Sequence, residues 1–223
     1  MSAALTLVIG NKNYSSWSMR PWVLMRQAQI PFEEIQLWFD DEARPRGIGQ
    51  YSPAGQVPVL LVDGAPVWDS LAICETLAEL FPEKRLWPEE AGARAHARAV
   101  CAEMHAGFRS LREAMPMNIR ASHPRKGMSD AVAREIARVS AIWSECRGRF
   151  GEGGALLFGK FTVPDAYYAP VVMRFLTYVV SLPPLARDYV EAVRGLPSVT
   201  EWMDAACRET AFVAADEPYA AKS

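Results

Sequence analysis

Hydrophobic positions along this chain follow two periods in succession, first that of short strands and then that of long helices. Leu5 to Ile9 is a compact apolar run rich in strand formers, closed by the turn-like Gly10-Asn11-Lys12-Asn13. The pattern predicts a helix over residues 18–28, with Pro21 tolerated in its first turn, and then a strand over 32–39. Residues 40–55 are charged and rich in Gly and Pro, which allows at most a short helix. Two short strands over 58–62 and 66–68 meet at Asp63-Gly64, a strong hairpin signal. A helix over 70–81 follows, with Leu71, Cys74, Leu77 and Phe81 on one face.

From there the period is helical throughout. Val100, Met104, Phe108, Leu111 and Met115 make one stripe, and Val132, Ile136, Val139, Trp143, Cys146 and Phe150 another. The run from Asp165 to about Ser181 is apolar nearly all round, as a central helix of an all-α unit should be. Val190 to Arg194 and Ser198 to Arg208 predict two shorter helices. Phe81 to Glu90, with prolines and several charges, is the natural linker. The order β-α-β, then β-β-α, then helices alone is that of a thioredoxin-like module followed by a bundle.

Composition narrows the function without naming one. At 223 residues, 50% of them hydrophobic and 22% charged, the chain can bury a substantial core. A net charge of −2 offers no overall attraction to nucleic acid or an anionic membrane, and Arg120 to Lys126, the one basic concentration, reads as a solvated loop. The N-terminus lacks the pattern of a secretory signal, and Ala166 to Leu182, interrupted by Arg174, is too polar to span a bilayer comfortably. Cys74, Cys101, Cys146 and Cys207 are scattered, which argues against a disulfide framework or a zinc cluster and fits a reducing cytosol. The three histidines have no paired-ligand spacing, so no metal is expected. Gly154 to Lys160 approaches a phosphate-binding loop, but Phe161 stands where a hydroxyl is needed.

Three short motifs carry chemistry. Gln56-Val57-Pro58 opens the third strand; a cis proline there would expose the preceding backbone to an extended peptide, and a trans proline at a strand edge is the plainer alternative. Asp69-Ser70-Leu71-Ala72-Ile73 starts a helix, where Ser70 and free N–H groups suit a carboxylate and Asp69 suits an ammonium. Simple N-capping is compatible with both roles. Ser15 and Ser16, within Tyr14 to Trp22, sit before the first helix, where a hydroxyl and the helix dipole favour a thiolate. Thr162-Val163-Pro164-Asp165 is a capping box, read as structural.

Across essentially the whole chain this arrangement resembles the cytosolic glutathione transferases, most closely the zeta-like and related bacterial branches. The resemblance rests on Ser15-Ser16, Gln56-Val57-Pro58 and Ser70-Leu71-Ala72-Ile73. It implies a thioredoxin-like α/β glutathione-binding domain over residues 1–82, a linker over 83–90 and an all-α helical bundle over 91–223. It further implies that Val57 pairs with the cysteinyl backbone of glutathione, and that Gln56, Pro58, Asp69 and Ser70 complete that site. Ser15 is favoured as the thiol's partner with Ser16 in support, the choice between them being open. Glutathione would be cosubstrate to a small electrophile seated near Met104, Phe108, Met115 or Met117, in a cytoplasmic homodimer with a detoxifying role. Isomerases of the maleylacetoacetate type carry a cysteine where this chain has Trp17. They also carry a core-helix arginine at the position of Thr177, one turn after Arg174; a shifted helix could let Arg174 substitute, but the simple reading counts against isomerase and takes Arg174 as an inter-helix or surface ion pair. Isomerase, a disulfide-type reductase and a non-catalytic glutathione-binding scaffold are the rival readings.

Overall fold

The computed structural model describes residues 3–220. Strand β1 (Leu5–Ile9) leads into helix α1 (Ser16–Gln27) and strand β2 (Glu33–Gln36), and then β3 (Val59–Val62), β4 (Ala65–Val67) and α2 (Ser70–Leu80) follow. The sheet order is β2-β1-β3-β4, with β1 parallel to β2 and antiparallel to β3, and β3 antiparallel to β4. A right-handed crossover is the ordinary way to join a parallel pair, and α1 is the helix that β1 and β2 enclose. Residues 63–64 form the hairpin turn, both with positive φ.

Six helices follow: α3 (Ala91–Ala106), α4 (Arg109–Ala114), α5 (Asp130–Phe150), α6 (Val163–Tyr178), α7 (Pro184–Arg194) and α8 (Pro197–Arg208). A thioredoxin-like sheet unit joined to a helical unit is thus the observed fold class. Helix α6 is the axis of the molecule. It is buried at nearly every position and packs against α1, α3 and α7. Its apolar circumference explains why periodicity could not assign it one face. Helix α1 lies between α6, α2 and α8, so Met19, Trp22, Val23, Leu24 and Met25 are all buried.

Three expectations are corrected. The stripe from Val100 to Met115 is two helices, because the chain turns at Gly107-Phe108, where Phe108 adopts φ +59°. A Cβ on Gly107 would lie 2.8 Å from the Glu103 carbonyl oxygen, so glycine permits the close approach that ends α3. Helix α7 begins six residues before Val190, at Pro184, whose fixed φ suits a first helical turn. Arg120 is no solvated loop residue: it turns inward, and its guanidinium donates to the Glu209 and Ala211 carbonyls and to the Tyr14 hydroxyl.

The segment after α8 folds back onto the loop that follows β1. The buried Glu209 carboxylate accepts from the backbone N–H groups of Lys12 (2.6 Å) and Asn13 (3.0 Å). Trp202 Nε1 donates to the Lys12 carbonyl, and Tyr14 donates to Glu217 at 2.8 Å. Asn13 in turn bonds to Asn118 and to the backbone of Arg120. Loop 10–15 is thereby fixed from behind by residues distant in sequence.

Candidate active site

Helices α1 and α2 start side by side at one end of the sheet. Their positive dipole ends face a cavity of about 440 Å³, within the size range of small-ligand sites. Ser15, Ser16, Gln56, Val57, Pro58, Asp69 and Ser70 all line it. A roomier hollow of about 530 Å³, between α5 and the segment after α6, is lined by alanines, serines and aliphatic groups with no titratable side chain. Convergent polar groups therefore single out the first.

The Val57–Pro58 peptide is cis, and so is Trp68–Asp69. Val57 stands just outside the ladder, whose register with β1 begins at Val59. Asp69 is the N-cap of α2 and accepts from the Leu71 N–H at 3.0 Å, as a capping carboxylate should. Ser70 is fully buried, with its hydroxyl 3.0 Å from that of Tyr167 and 3.5 Å from Arg20 Nη1.

The two candidate serines differ in how their hydroxyls are used. Ser15 caps α1: its oxygen accepts from the Ser18 N–H, and its own proton is donated to Ser18 Oγ at 2.7 Å. Ser18 Oγ accepts at the same time from the Gly10 N–H. Ser16 instead accepts from Arg174 Nη2 at 3.1 Å, and its proton has no acceptor among the described residues.

Arg174 is buried, with 5% of its surface exposed, and does not form the ion pair expected of it. Its other nitrogen donates to the carbonyls of Met115 and Arg112, which hold the guanidinium at the cavity wall. Burial lowers its pKa to about 10, so it is charged at neutral pH. Arg112, also lining the cavity, donates to the His105 and Gly107 carbonyls, and Arg20 lies behind them, stacked 4.1 Å from the centre of the Trp17 ring and 4.4 Å from that of Tyr167. No carboxylate lies within ion-pair distance of these three arginines among the described residues. Asp216 lies on the same wall, and burial raises its pKa to about 6 against the opposing charge of Arg174.

Sequence reasoning missed His105, Arg112, Tyr167 and Asp216, and it set Arg174 aside. His105 projects from α3 between the two halves, with Nε2 3.2 Å from Asp69 Oδ2 and Nδ1 3.2 Å from the Tyr167 hydroxyl. Of the apolar side chains proposed to seat a second substrate, Met117 lines the cavity, whereas Met104, Phe108 and Met115 are core.

Comparison with known proteins agrees with this geometry. Residues 14–80 match the sequence model of the glutathione S-transferase N-terminal domain and residues 129–205 that of the C-terminal domain, together well over half of the chain. A probable maleylacetoacetate isomerase of Caenorhabditis elegans is 23% identical over 159 residues, 69% of this chain and 73% of its own. A probable glutathione transferase of Aplysia californica is 39% identical over 59 residues, 26% of this chain and 64% of its own. Among solved structures, a Burkholderia glutathione transferase homolog with bound glutathione superposes with a TM-score of 0.69 at 22% identity, over 91% of this chain and 98% of its own. A Methylococcus capsulatus glutathione transferase gives 0.66 at 23% identity over 91% and 98%. Matched in order by both domain models and carrying the fold they describe, this chain belongs to the glutathione S-transferase family.

Proposed function

We propose that the cavity binds glutathione and activates its thiol for attack on a small electrophile. The single observation that carries this reading is the Ser16 hydroxyl, which accepts from a buried arginine and keeps a proton to donate beside the α1 N-terminus. A hydrogen bond donated to a thiolate, with the dipole behind it, favours the charged and nucleophilic form. Ser15 then serves as the cap that holds Ser16 in place. The exposed backbone before Pro58 suits the cysteinyl unit, and Asp69 and Ser70 suit the ammonium and carboxylate of the γ-glutamyl end. The thiol proton leaves to solvent, sulfur bonds to the electrophilic carbon, and the electrons pass to a leaving group or along a double bond. Family membership supports extending the proposal to a cytoplasmic homodimer with a detoxifying role.

Ultraviolet titration of the thiolate in the presence of the full chain tests the reading. The bound thiol should titrate about 1–2 units below the ~8.5 of a free thiol. Absence of binding, or an unshifted thiol, would leave the scaffold reading in its place.

Arg112 and Arg174 favour a second reading in which the electrophile carries a carboxylate, as a glutathione-dependent cis–trans isomerase requires. Two guanidinium groups facing one cavity without a carboxylate within ion-pair distance suit such a substrate. The name of the Caenorhabditis relative agrees with it, while Trp17 and Thr177 keep their places against it. Arg174→Met should lower kcat/KM for a carboxylate-bearing electrophile about tenfold more than for a neutral one of equal reactivity. An equal loss for both would discard the carboxylate reading.

A further inference from the structure

A hydrogen-bonded chain crosses from the helical half into the sheet half at the cavity edge, and no step of the proposed chemistry uses it. It runs from the Asp69 carboxylate to His105 Nε2, from His105 Nδ1 to the Tyr167 hydroxyl, and from there to Ser70 Oγ, each step between 3.0 and 3.2 Å. Its two ends are the residues assigned to the γ-glutamyl unit of glutathione, so any role for His105 at that unit rests on the glutathione reading.

The partners determine the polarity of the chain. The Asp69 carboxylate only accepts, so His105 presents Nε2–H to it. His105 is surrounded by Trp17 edge-on at 5.1 Å, by Tyr167, and by the charges of Arg20 and Arg112; burial, aided by those arginines, lowers its pKa, while Asp69 opposes the shift. In the neutral ring Nδ1 is an acceptor, and Tyr167 donates to it. The Tyr167 oxygen then has only lone pairs to offer Ser70, so the Ser70 proton is the one shared between them. Ser70 Oγ also accepts from Arg20. Without His105, Asp69, whose side chain is more than half exposed, would lose the partner that holds its second oxygen.

We propose that His105 is a positioning residue for the α-amino-acid end of glutathione, holding the second oxygen of Asp69 so that its carboxylate is aimed at the ammonium. The geometry that carries it is one imidazole, on a helix of the other half, bonded to Asp69 through one nitrogen and fixed by Tyr167 at the other.

Calorimetric binding of two ligands to the full chain tests this. Glutathione is compared with glutaryl-cysteinylglycine, which keeps its thiol and both its carboxylates and lacks only the ammonium. The wild-type chain should prefer glutathione by about tenfold or more, the worth of one charge-assisted hydrogen bond. His105→Ala should weaken glutathione about tenfold and the ammonium-free ligand about threefold at most, cutting the preference by about threefold or more. His105→Gln, whose amide can donate to Asp69, should recover part of it. Equal weakening of both ligands by His105→Ala, or an unchanged preference, overturns the proposal. A wild-type chain that binds neither ligand overturns the glutathione reading itself, and the role of His105 falls with it.

Discussion

Ser16→Ala is expected to raise the pKa of the bound glutathione thiol by about 1–2 units, and Ser15→Ala by less than half as much. The difference follows from the use of each hydroxyl. Ser15 is committed on both sides, accepting from the Ser18 N–H and donating to Ser18 Oγ, which in turn holds the Gly10 N–H. Removing it takes away a helix cap and costs roughly 0.5–2 kcal/mol of stability, with only an indirect effect on a bound thiol. Removing the Ser16 hydroxyl deletes the free donor and leaves Arg174 Nη2 without that acceptor. A hydrogen bond to a charged group is worth about 1.5–3 kcal/mol, so turnover at neutral pH should fall on the order of tenfold to a hundredfold. Thiolate titration and kcat/KM measured together with thermal stability separate the two variants. If Ser15→Ala abolishes the thiol shift while Ser16→Ala spares it, the roles are reversed and the free-proton criterion is wrong.

The largest effect on stability is expected at Asp165, far from the cavity. Its fully buried carboxylate closes the capping box at Thr162 (2.9 Å from that N–H) and also accepts from the Leu157 N–H at 3.1 Å and the Tyr189 hydroxyl at 3.2 Å. One side chain thus anchors the start of α6, the loop before it and α7. Asp165→Ala orphans two backbone donors and a phenol, each at about 1–3 kcal/mol, so the loss at pH 5 should be about 3–4 kcal/mol. That exceeds the cost of an ordinary cap. Burial also raises the pKa of Asp165 to about 6, against hydrogen bonds that pull it down. Between about pH 4 and 6 the folded chain keeps a proton that the unfolded chain has released, so rising pH removes stability over that window. The cost of the substitution should therefore shrink by about 1 kcal/mol between pH 5 and 7. Denaturant unfolding of both proteins at the two pH values measures it. A loss below about 1 kcal/mol, or one that grows with pH, would show that Asp165 is not the anchor described.

The half of the site that the sequence made legible is the half built from local patterns. Ser15, Ser16, Asp69 and Ser70 all stand at helix starts, where residue type and spacing have direct geometric meaning, and Val57-Pro58 is punctuated by its proline. The other half comes from the helical unit and has no local signature. His105 and Arg112 flank the Gly107-Phe108 turn, which periodicity carries straight through because the apolar stripe keeps its phase on both sides. Arg174 is visible as the one basic residue in an apolar helix, but a helix enclosed on all sides gives no moment from which to read its direction. Arg120 looks like one of several basic loop residues, and only the tertiary fold supplies the carbonyls that draw it inward. Strand and helix ends differ by a few residues for the usual reason, that fraying and caps are set by contacts beyond the window.

The fastening of loop 10–15 by Glu209 fixes the order in which the protein can become active. Lys12 and Asn13 leave the ribosome almost two hundred residues before the carboxylate that satisfies their N–H groups, and Tyr14 waits longer still for Glu217. The sheet can close early, since β1 to β4 are contiguous in the first third of the chain. The serine-bearing loop cannot settle until residues 209–217 have been made. Maturation of the site therefore waits on the segment after α8, and a single proteolytic nick near residue 209 would loosen the serine-bearing loop while leaving every cavity-lining side chain up to Arg174 in the fragment before the nick.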